Sequence, residues 1–197
     1  YLPKLASGEW IGAFCLSEPH CGSDAAALAT RARREVGGYR LSGAKAWITG
    51  GGEAQVYLVL AKTDPEAGAR GVSCFVLEKD LPGMSFGKPE DKLGQHASVT
   101  TSVLLEDCFV PEDALLGEEG QGFIYAMASL DSGRIGIAAQ AVGIARAAFE
   151  AARDYAGERH AFGQAIREFQ GVGFKLADMA TALEAARLLP YRAAWRK

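Results

Sequence analysis

The sequence has few residues that could build a disulfide framework or a metal site. Its 197 residues include three histidines and four cysteines, Cys15, Cys21, Cys74 and Cys108. No two cysteines form a C-x-x-C pair, and no histidine stands at metal-ligand spacing from them. We therefore expect free buried thiols in a reducing compartment, with a disulfide as the minor alternative, and no metal site.

An excess of charge of either sign is also absent. Lysine plus arginine total 21 and aspartate plus glutamate total 24, a net charge of -3, so nucleic acid is not an expected partner. No basic segment followed by an apolar core opens the chain, and the most apolar stretch, residues 135–145, is too short to cross a bilayer. We expect a soluble intracellular protein with no membrane span, cytoplasmic in a bacterium or in the mitochondrial matrix of a eukaryote.

Short apolar runs separated by turn residues fill the first half of the chain. They are rich in β-branched and aromatic residues and lie at 11–16, 39–43, 56–61, 72–77, 99–105 and 108–111. A hairpin turn is expected at Val36-Gly37-Gly38, before the second run. Several strands at this spacing predict an antiparallel barrel or sandwich.

The second half has almost no turn residues after about Gly122. This pattern predicts one or two long helices over 123–155 and another from Phe169 to about Leu189, which Pro190 should kink or end. One apolar stripe on the later helix comprises Leu176, Met179, Leu183 and Ala186. Residues 135–148 are apolar on nearly all sides, as in a helix buried inside a bundle. Two helices cannot bury such a surface, so the bundle needs partners from other sequence or another subunit.

Two segments of the first half combine groups that could contact a ligand. Residues 14–24 predict a strand ending in a loop that offers hydroxyls and backbone N–H groups, with Asp24 able to cap a short helix. Trp47 and Thr49 stand two apart on a predicted strand, which places a large flat ring and a hydroxyl on one face. Taken singly, a capped turn and a core tryptophan explain these segments equally well.

Five motifs in order resemble the acyl-CoA dehydrogenase family over nearly the whole chain. They are F-x-x-S-E-P-x-x-G-S-D at 14–24, W-I-T at 47–49, K-L-G at 92–94, D-x-x-R at 131–134, and R-x-x-F-G at 159–163 followed by Gln170. Residues 130–138 and 175–179 are most similar to the short-chain, butyryl-CoA members. Departures from the family pattern occur at Gly50, His20-Cys21, Gln95-His96 and Pro190.

The resemblance implies an α+β fold. A β-barrel or sandwich middle domain at 11–112 would follow the end of an N-terminal helical domain at 1–10. Residues 113–197 would then begin a C-terminal four-helix bundle that this chain truncates. A homo-oligomer, a dimer of dimers, is implied as well.

The resemblance also implies FAD as cofactor and assigns residues to two binding sites. The cofactor-binding residues would be Phe14, Cys15, Leu16, Ser17, Ser23, Trp47, Ile48, Thr49, Arg159, Phe162 and Gln170, the last three reaching FAD held by a neighbouring subunit. The acyl-CoA substrate would meet Ser23, Asp131 and Arg134.

The implied reaction is α,β-desaturation of a short-chain acyl-CoA to the trans-2-enoyl-CoA, with electrons passing to an electron-transferring flavoprotein. The catalytic base is expected outside this chain, because Gly133 stands where other members carry a helix glutamate. Glu18 is the nearest rival carboxylate, but the adjacent Pro19 favours a structural role for it. A flavin oxidase on the same fold and a catalytically silent binding or assembly module remain as alternatives.

Overall fold

The computed structural model describes the whole chain, Tyr1–Lys197, which divides into two compact units, Tyr1–Met127 and Ala128–Lys197. A short helix, α1 (Leu2–Ser7), opens the first unit. Seven strands follow: β1 (Gly12–Cys15), β2 (Arg31–Glu35), β3 (Gly38–Thr49), β4 (Val56–Lys62), β5 (Val72–Glu78), β6 (Met84–Phe86) and β7 (Thr100–Pro111). Residues 1–10 and 113–127 therefore belong to the same compact unit as the strands, and the domain limits inferred from the sequence remain a proposal.

The seven strands form one mixed sheet in the order β1-β4-β2-β3-β7-β6, with β5 paired to β4. The α+β class is confirmed, but the sheet is not wholly antiparallel. Strand β1 runs parallel to β4, with Gly12 opposite Val56 and Cys15 opposite Val59. A parallel pair needs a crossover connection, and the chain between these strands supplies it by forming the β2–β3 hairpin.

Strand β2 was not predicted, although the hairpin turn after it is confirmed. Its sequence is Arg-Ala-Arg-Arg-Glu, and only Ala32 is buried. Its pairing with β3 ends at Glu35 opposite Gly38, and Gly37 takes a φ of 80° in the turn. Backbone pairing with β3 and β4 holds this strand in the sheet, and it has no apolar face. Hydrophobic alternation therefore could not identify it.

The core of the first unit lies against the sheet and includes Tyr39, Tyr57 and Phe75, with Tyr39 and Phe75 in edge-to-face contact at 5.0 Å between ring centroids. The expected free buried thiols are confirmed at all four cysteines. Burial raises the pKa of the Cys15 thiol to about 12 and that of Cys74 to about 11.

Two long helices dominate the second unit. The first, α2 (Gly122–Glu158), begins in the first unit and is a single helix of 37 residues. A two-stranded hairpin, β8 (His160–Ala161) with β9 (Gln164–Ala165), links it to α3 (Gln170–Arg196). Both hairpin loop residues have positive φ, 49° at Phe162 and 84° at Gly163, as a two-residue turn between twisted strands requires.

Helix α3 continues through Pro190 to Arg196, so the predicted end of the helix near Leu189 is wrong, while a kink at Pro190, the other predicted outcome, stays a prediction. Proline removes one backbone donor from a helix interior, and its ring crowds the carbonyl four residues earlier. The residues of α3 are exposed or half-buried in this chain, so the carbonyl that loses its partner can be hydrated. The loss of one hydrogen bond is therefore not enough to end a helix of 27 residues.

The apolar stretch of α2 has few partners within the chain. Ile137 and Ile144 are 66% and 62% exposed. Met179, Leu183 and Ala186 of the predicted α3 stripe line a groove together with Ala141 and Ala145 of this helix. The remaining apolar surface agrees with the expectation that partners outside the chain complete the bundle.

By length and composition alone, α2 is long and apolar enough to cross a membrane. Its uncharged centre is much shorter than the helix, because Arg134 and Arg146 bracket eleven residues that include Gln140. About 20 consecutive apolar residues are needed to span the hydrocarbon core. A helix that is buried inside a bundle, as the sequence predicts for α2, would have the same apolar composition.

Candidate functional site

A loop after β1 and a bulge in β3 lie side by side in the first unit. The amide of Ala46 donates to the carbonyl of Ser17 at 2.9 Å, which joins the two segments. In β3, Lys45 lies opposite Val103 and Ile48 opposite Thr101, so one extra residue is inserted between them. Bulges of this kind re-aim side chains beside ligand sites. The structure thus brings together the loop and the W-I-T motif that the sequence selected.

Trp47 occupies the bulge in an unusual conformation. Its φ is 61°, in the left-handed region that large side chains rarely adopt, and the residue is 63% exposed. A conformation of this type costs about 1–3 kcal/mol and persists only where the surroundings enforce it. The bulge therefore presents a large flat aromatic face to solvent at an energetic cost, as a site for stacking a planar ligand would.

The neighbours of Trp47 follow the predicted alternation. Thr49 is exposed and Ile48 is 2% exposed within the core. Beyond Thr49, Gly50 takes a φ of 76°, and a Cβ built on it meets nothing closer than 3.7 Å. Asparagine, which the resemblance implies at this position, tolerates the same backbone conformation, so Gly50 leaves the backbone path unchanged.

The loop residues divide by burial into two groups. Phe14 and Ser17 are half-buried, and Ser23 is exposed. Cys15 and Leu16 are buried, with Cys15 inside the core. Cys15, Leu16 and Ile48 can therefore serve a ligand only through their backbone, while Phe14, Ser17 and Ser23 can offer side chains.

Asp24 takes the N-cap position of a 3-10 helix, Ala25–Ala27, but its side chain makes no capping hydrogen bond. The capped α-helix expected from the sequence is thus a single 3-10 turn. The carboxylate of Asp24 is exposed.

A buried ion pair lies directly beneath the loop. Nζ of Lys45 is 2.7 Å from Oε1 of Glu18, and their side chains are 0% and 2% exposed. Burial raises the pKa of the Glu18 carboxyl, but hydrogen bonds from Lys45, Thr30 and Ala29 outweigh it and hold the pKa below its usual range. Glu18 is therefore an ionised structural carboxylate, as Pro19 suggested, and its lone pairs are already engaged.

The sequence analysis missed Lys45. A lysine in a strand normally predicts a solvent-facing position, and the only local signal is its placement between Ala44 and Ala46. Its burial depends on a carboxylate 27 positions earlier.

Glu18, His20 and Cys21 place one ligating atom each within 4.8 Å of one another. The set fits a metal poorly. Both oxygens of Glu18 already accept hydrogen bonds, and the Lys45 ammonium beside them repels a cation. Burial raises the pKa of the Cys21 thiol, which disfavours the thiolate that binds metals.

The second unit carries the other predicted residues. Asp131 and Arg134 are exposed on α2 and form an ion pair at 2.6 Å. Gly133 lies between them in sequence, and a Cβ built on it meets no atom of the chain within 4 Å.

The hairpin after α2 presents a second group of exposed side chains. Phe162 is 97% exposed, and Arg159 and Gln170 are exposed. The ring of Phe162 stands edge-to-face to that of Phe169 with 6.2 Å between centroids, yet it remains almost fully exposed. An unpaired cation beside an exposed ring can bind a phosphate or an aromatic base.

Comparison with known proteins gives matches along the whole chain. The family models described as the middle domain and the C-terminal domain of acyl-CoA dehydrogenase match residues 13–108 and 120–197. An acyl-CoA dehydrogenase of Bacillus subtilis is 55% identical over 194 residues, which are 98% of this chain and 51% of that protein. The short-chain specific acyl-CoA dehydrogenase of rat mitochondria is 50% identical over 197 residues, all of this chain and 48% of that protein.

Among solved structures, butyryl-CoA dehydrogenase from Megasphaera elsdenii superposes with a TM-score of 0.95 at 47% identity, over 100% of this chain and 51% of that one. The chain thus spans about half the length of the relatives that it matches.

Proposed function

The chain belongs to the acyl-CoA dehydrogenase family, and from that premise we propose that it forms the cofactor- and substrate-facing middle of an enzyme that desaturates short-chain acyl-CoA thioesters. The observation that carries the proposal is the exposed ring of Trp47, held in a costly conformation beside Thr49 and the Ser17 loop. The short-chain preference is supported by the likeness to butyryl-CoA and short-chain specific relatives.

FAD is the cofactor of this family, and the residues present fit it. An isoalloxazine is a flat aromatic ring with polar edges. The exposed ring of Trp47, the hydroxyl of Thr49 and the backbone of the loop after β1 offer one stacking surface and several hydrogen-bonding groups. When bound, FAD accepts the β-hydrogen of the substrate as hydride.

The chain's own residues contribute binding and orientation. The W-I-T segment and the loop would hold the flavin ring, while Asp131 and Arg134 would place the thioester. Because neither C–H bond of the substrate is reactive alone, catalysis would depend on the placement of the thioester, the base and the flavin. The α-proton goes to a carboxylate that we expect outside this chain.

Further partners follow from the same premise. We propose that Arg159, Phe162 and Gln170 contact FAD held by a second copy in a homo-oligomer. Electrons would leave to an electron-transferring flavoprotein, in the bacterial cytoplasm or the mitochondrial matrix.

Purification of the full-length protein tests the proposal. We expect bound FAD, released by heat and identified by its absorbance, and anaerobic bleaching by butyryl-CoA that exceeds bleaching by palmitoyl-CoA or isobutyryl-CoA. A maximum at long or branched chains would overturn the short-chain assignment. Peroxide formation in air faster than transfer to the flavoprotein would make the enzyme an oxidase. A protein that binds no FAD would be a silent module.

A further inference from the structure

The Glu18–Lys45 pair has no role in the chemistry described above, yet the chain places both charges in its core. Burying two ions costs desolvation energy that their mutual attraction often fails to exceed, and apolar residues of similar size commonly hold a fold as well or better. The pair is therefore expected to add little to the free energy of unfolding compared with apolar residues of the same size. Unlike apolar packing, however, its hydrogen bonds are directional, and each one fixes the position of a particular atom.

The lysine end fixes the loop after β1. Nζ of Lys45 donates to the carbonyl of Leu16 at 3.3 Å and to Glu18 at 2.7 Å. The next residue of the strand, Ala46, donates its amide to the carbonyl of Ser17 at 2.9 Å. Leu16, Ser17 and Glu18 are thus each tied to one of two consecutive residues of β3, Lys45 or Ala46.

The carboxylate end fixes the same loop to a third segment. Oε2 of Glu18 accepts the amide of Ala29 at 2.6 Å. Oε1 accepts the amide of Thr30 at 3.0 Å and its hydroxyl at 2.6 Å. The backbone of Glu18 is also paired with that of Cys21 in both directions. The carboxylate therefore has three donors besides Lys45, and they tie it to the segment that precedes β2.

Two of the predicted flavin-contacting residues, Ser17 and Trp47, directly adjoin this network. Ser17 lies between Leu16 and Glu18, whose bonds to Lys45 bracket it. Trp47 follows Ala46, and its left-handed backbone needs fixed surroundings to persist. The hydrogen bonds from Lys45 and Ala46 to the loop therefore oppose two changes. One is movement of the loop, and the other is a return of the Trp47 backbone to an ordinary conformation.

We propose that the buried Glu18–Lys45 pair is a positioning device for the flavin site, which holds the Ser17 loop and the Trp47 bulge in one fixed relation. This inference rests on the proposed function for the identity of the ligand. The relation between loop and bulge is a property of the flavin-free protein as well. Glu18 and Lys45 act through Ser17 and Trp47 and are positioning residues.

Substitution of Lys45 in the full-length protein tests the proposal. Lys45→Met removes both lysine contacts and leaves Glu18 with three donors, so the carboxylate stays hydrogen-bonded. Ser73→Ala is the matched control, because Ser73 is equally buried in the same sheet and its hydroxyl bonds only Thr63 and the amide of Gly120. The control loses buried polar contacts without touching the loop.

Two measurements separate positioning from general destabilisation. In flavin-free protein, the amide of Ala46 should exchange with solvent at least about tenfold faster in Lys45→Met, after correction for global stability, as expected for loss of a charged hydrogen bond. In flavin-loaded protein, the Kd for FAD should rise about tenfold or more and the visible flavin bands should shift. Ser73→Ala should change neither quantity beyond what its stability predicts.

The outcomes are distinct. If the wild type binds no FAD, the proposed function fails, and the exchange of the Ala46 amide still decides the positioning. If Lys45→Met binds FAD with wild-type affinity and spectrum, or leaves the Ala46 amide protected, the positioning is refuted although the function stands. Should Lys45→Met not fold, Glu18→Gln carries the test with the same two readouts, because it removes the charge of the pair and keeps an oxygen acceptor.

Discussion

Asp131 and Arg134 form an ion pair across one turn of α2, with 2.6 Å between Oδ1 of the aspartate and Nη1 of the arginine. Both side chains are about two-thirds exposed, at 64% and 68%. Ion pairs in such positions contribute little to stability, about 1 kcal/mol or less. The pair is therefore better understood as a pre-set orientation of two polar groups than as a stabilising contact.

Arg134→Ala should consequently separate stability from substrate binding. We expect nearly unchanged thermal unfolding and a raised KM for butyryl-CoA, because the arginine is proposed to place the thioester. Arg187→Ala is the control, since Arg187 forms a similar exposed pair with Glu184 three residues away on α3. Equal KM values for the two variants would remove Arg134 from the substrate site.

Thr49→Ala tests the contact between β3 and the flavin. Thr49 is exposed, so the substitution should leave the fold intact while it shifts the visible spectrum or the reduction potential of bound FAD. Thr100 lies directly opposite Thr49 in β7, and Thr100→Ala controls for loss of a hydroxyl at this end of the sheet. An unchanged potential and spectrum in Thr49→Ala would argue against a hydroxyl contact with the flavin.

Arg159→Lys should weaken FAD retention by the assembled oligomer, because lysine lacks the planar fork with which arginine binds phosphate. The measurement is the fraction of FAD retained on gel filtration, together with unfolding temperatures with and without added FAD. Arg167→Lys, on the same connection, pairs with Glu168 and serves as the control. If Arg159→Lys lowers the unfolding temperature equally with and without FAD, its role is local.

Gly133→Glu tests the placement of the catalytic base. A Cβ there is unobstructed within the chain, and glutamate is a better helix former than glycine, so the free energy of unfolding should rise by about 0.5 kcal/mol. In a full-length variant that also lacks the catalytic glutamate proposed to lie outside this chain, the substitution should restore part of the flavin bleaching by butyryl-CoA. Gly136→Glu, equally unobstructed, should not. If the 197-residue chain loaded with FAD is bleached at an enzyme-like rate, the base lies within it.

Glu18→Gln should change the acid stability of the protein. The folded pKa of Glu18 lies below its ordinary value of 4.5, so its ionised form stabilises the fold above pH 4.5, and that stabilisation is lost as the pH falls towards the folded pKa. Breaking the pair should cost about 3 kcal/mol at pH 7. The difference between wild type and variant, measured by urea unfolding, should therefore shrink between pH 5 and pH 3. A constant difference over that range would mean that Glu18 does not titrate with folding.

Local pattern sufficed for the parts of the molecule that depend on neighbours in sequence. The long helix α2, strands β4 and β5 and the turn at Gly37 all appeared where periodicity and glycine placed them. That Trp47 and Thr49 lie on one face, opposite the buried Ile48, followed from strand alternation, whereas the exposure of Trp47 did not.

Features that depend on distant partners could not be predicted in this way. Lys45 is buried because Glu18 meets it in three dimensions, and no pattern around either residue indicates this. The left-handed conformation of Trp47 arises from a bulge set by the register between β3 and β7. Pro190 stays helical although its local preference opposes this.

The buried thiols have a practical consequence for labelling experiments. With the pKa of Cys15 near 12 and that of Cys74 near 11, and with Cys21 and Cys108 also buried and raised in pKa, almost no native thiolate is present at neutral pH. A cysteine introduced at a fully exposed position, such as Leu93, would react with maleimide reagents against a nearly silent background. Fluorophores or spin labels could thus be attached at single sites without first removing any native cysteine.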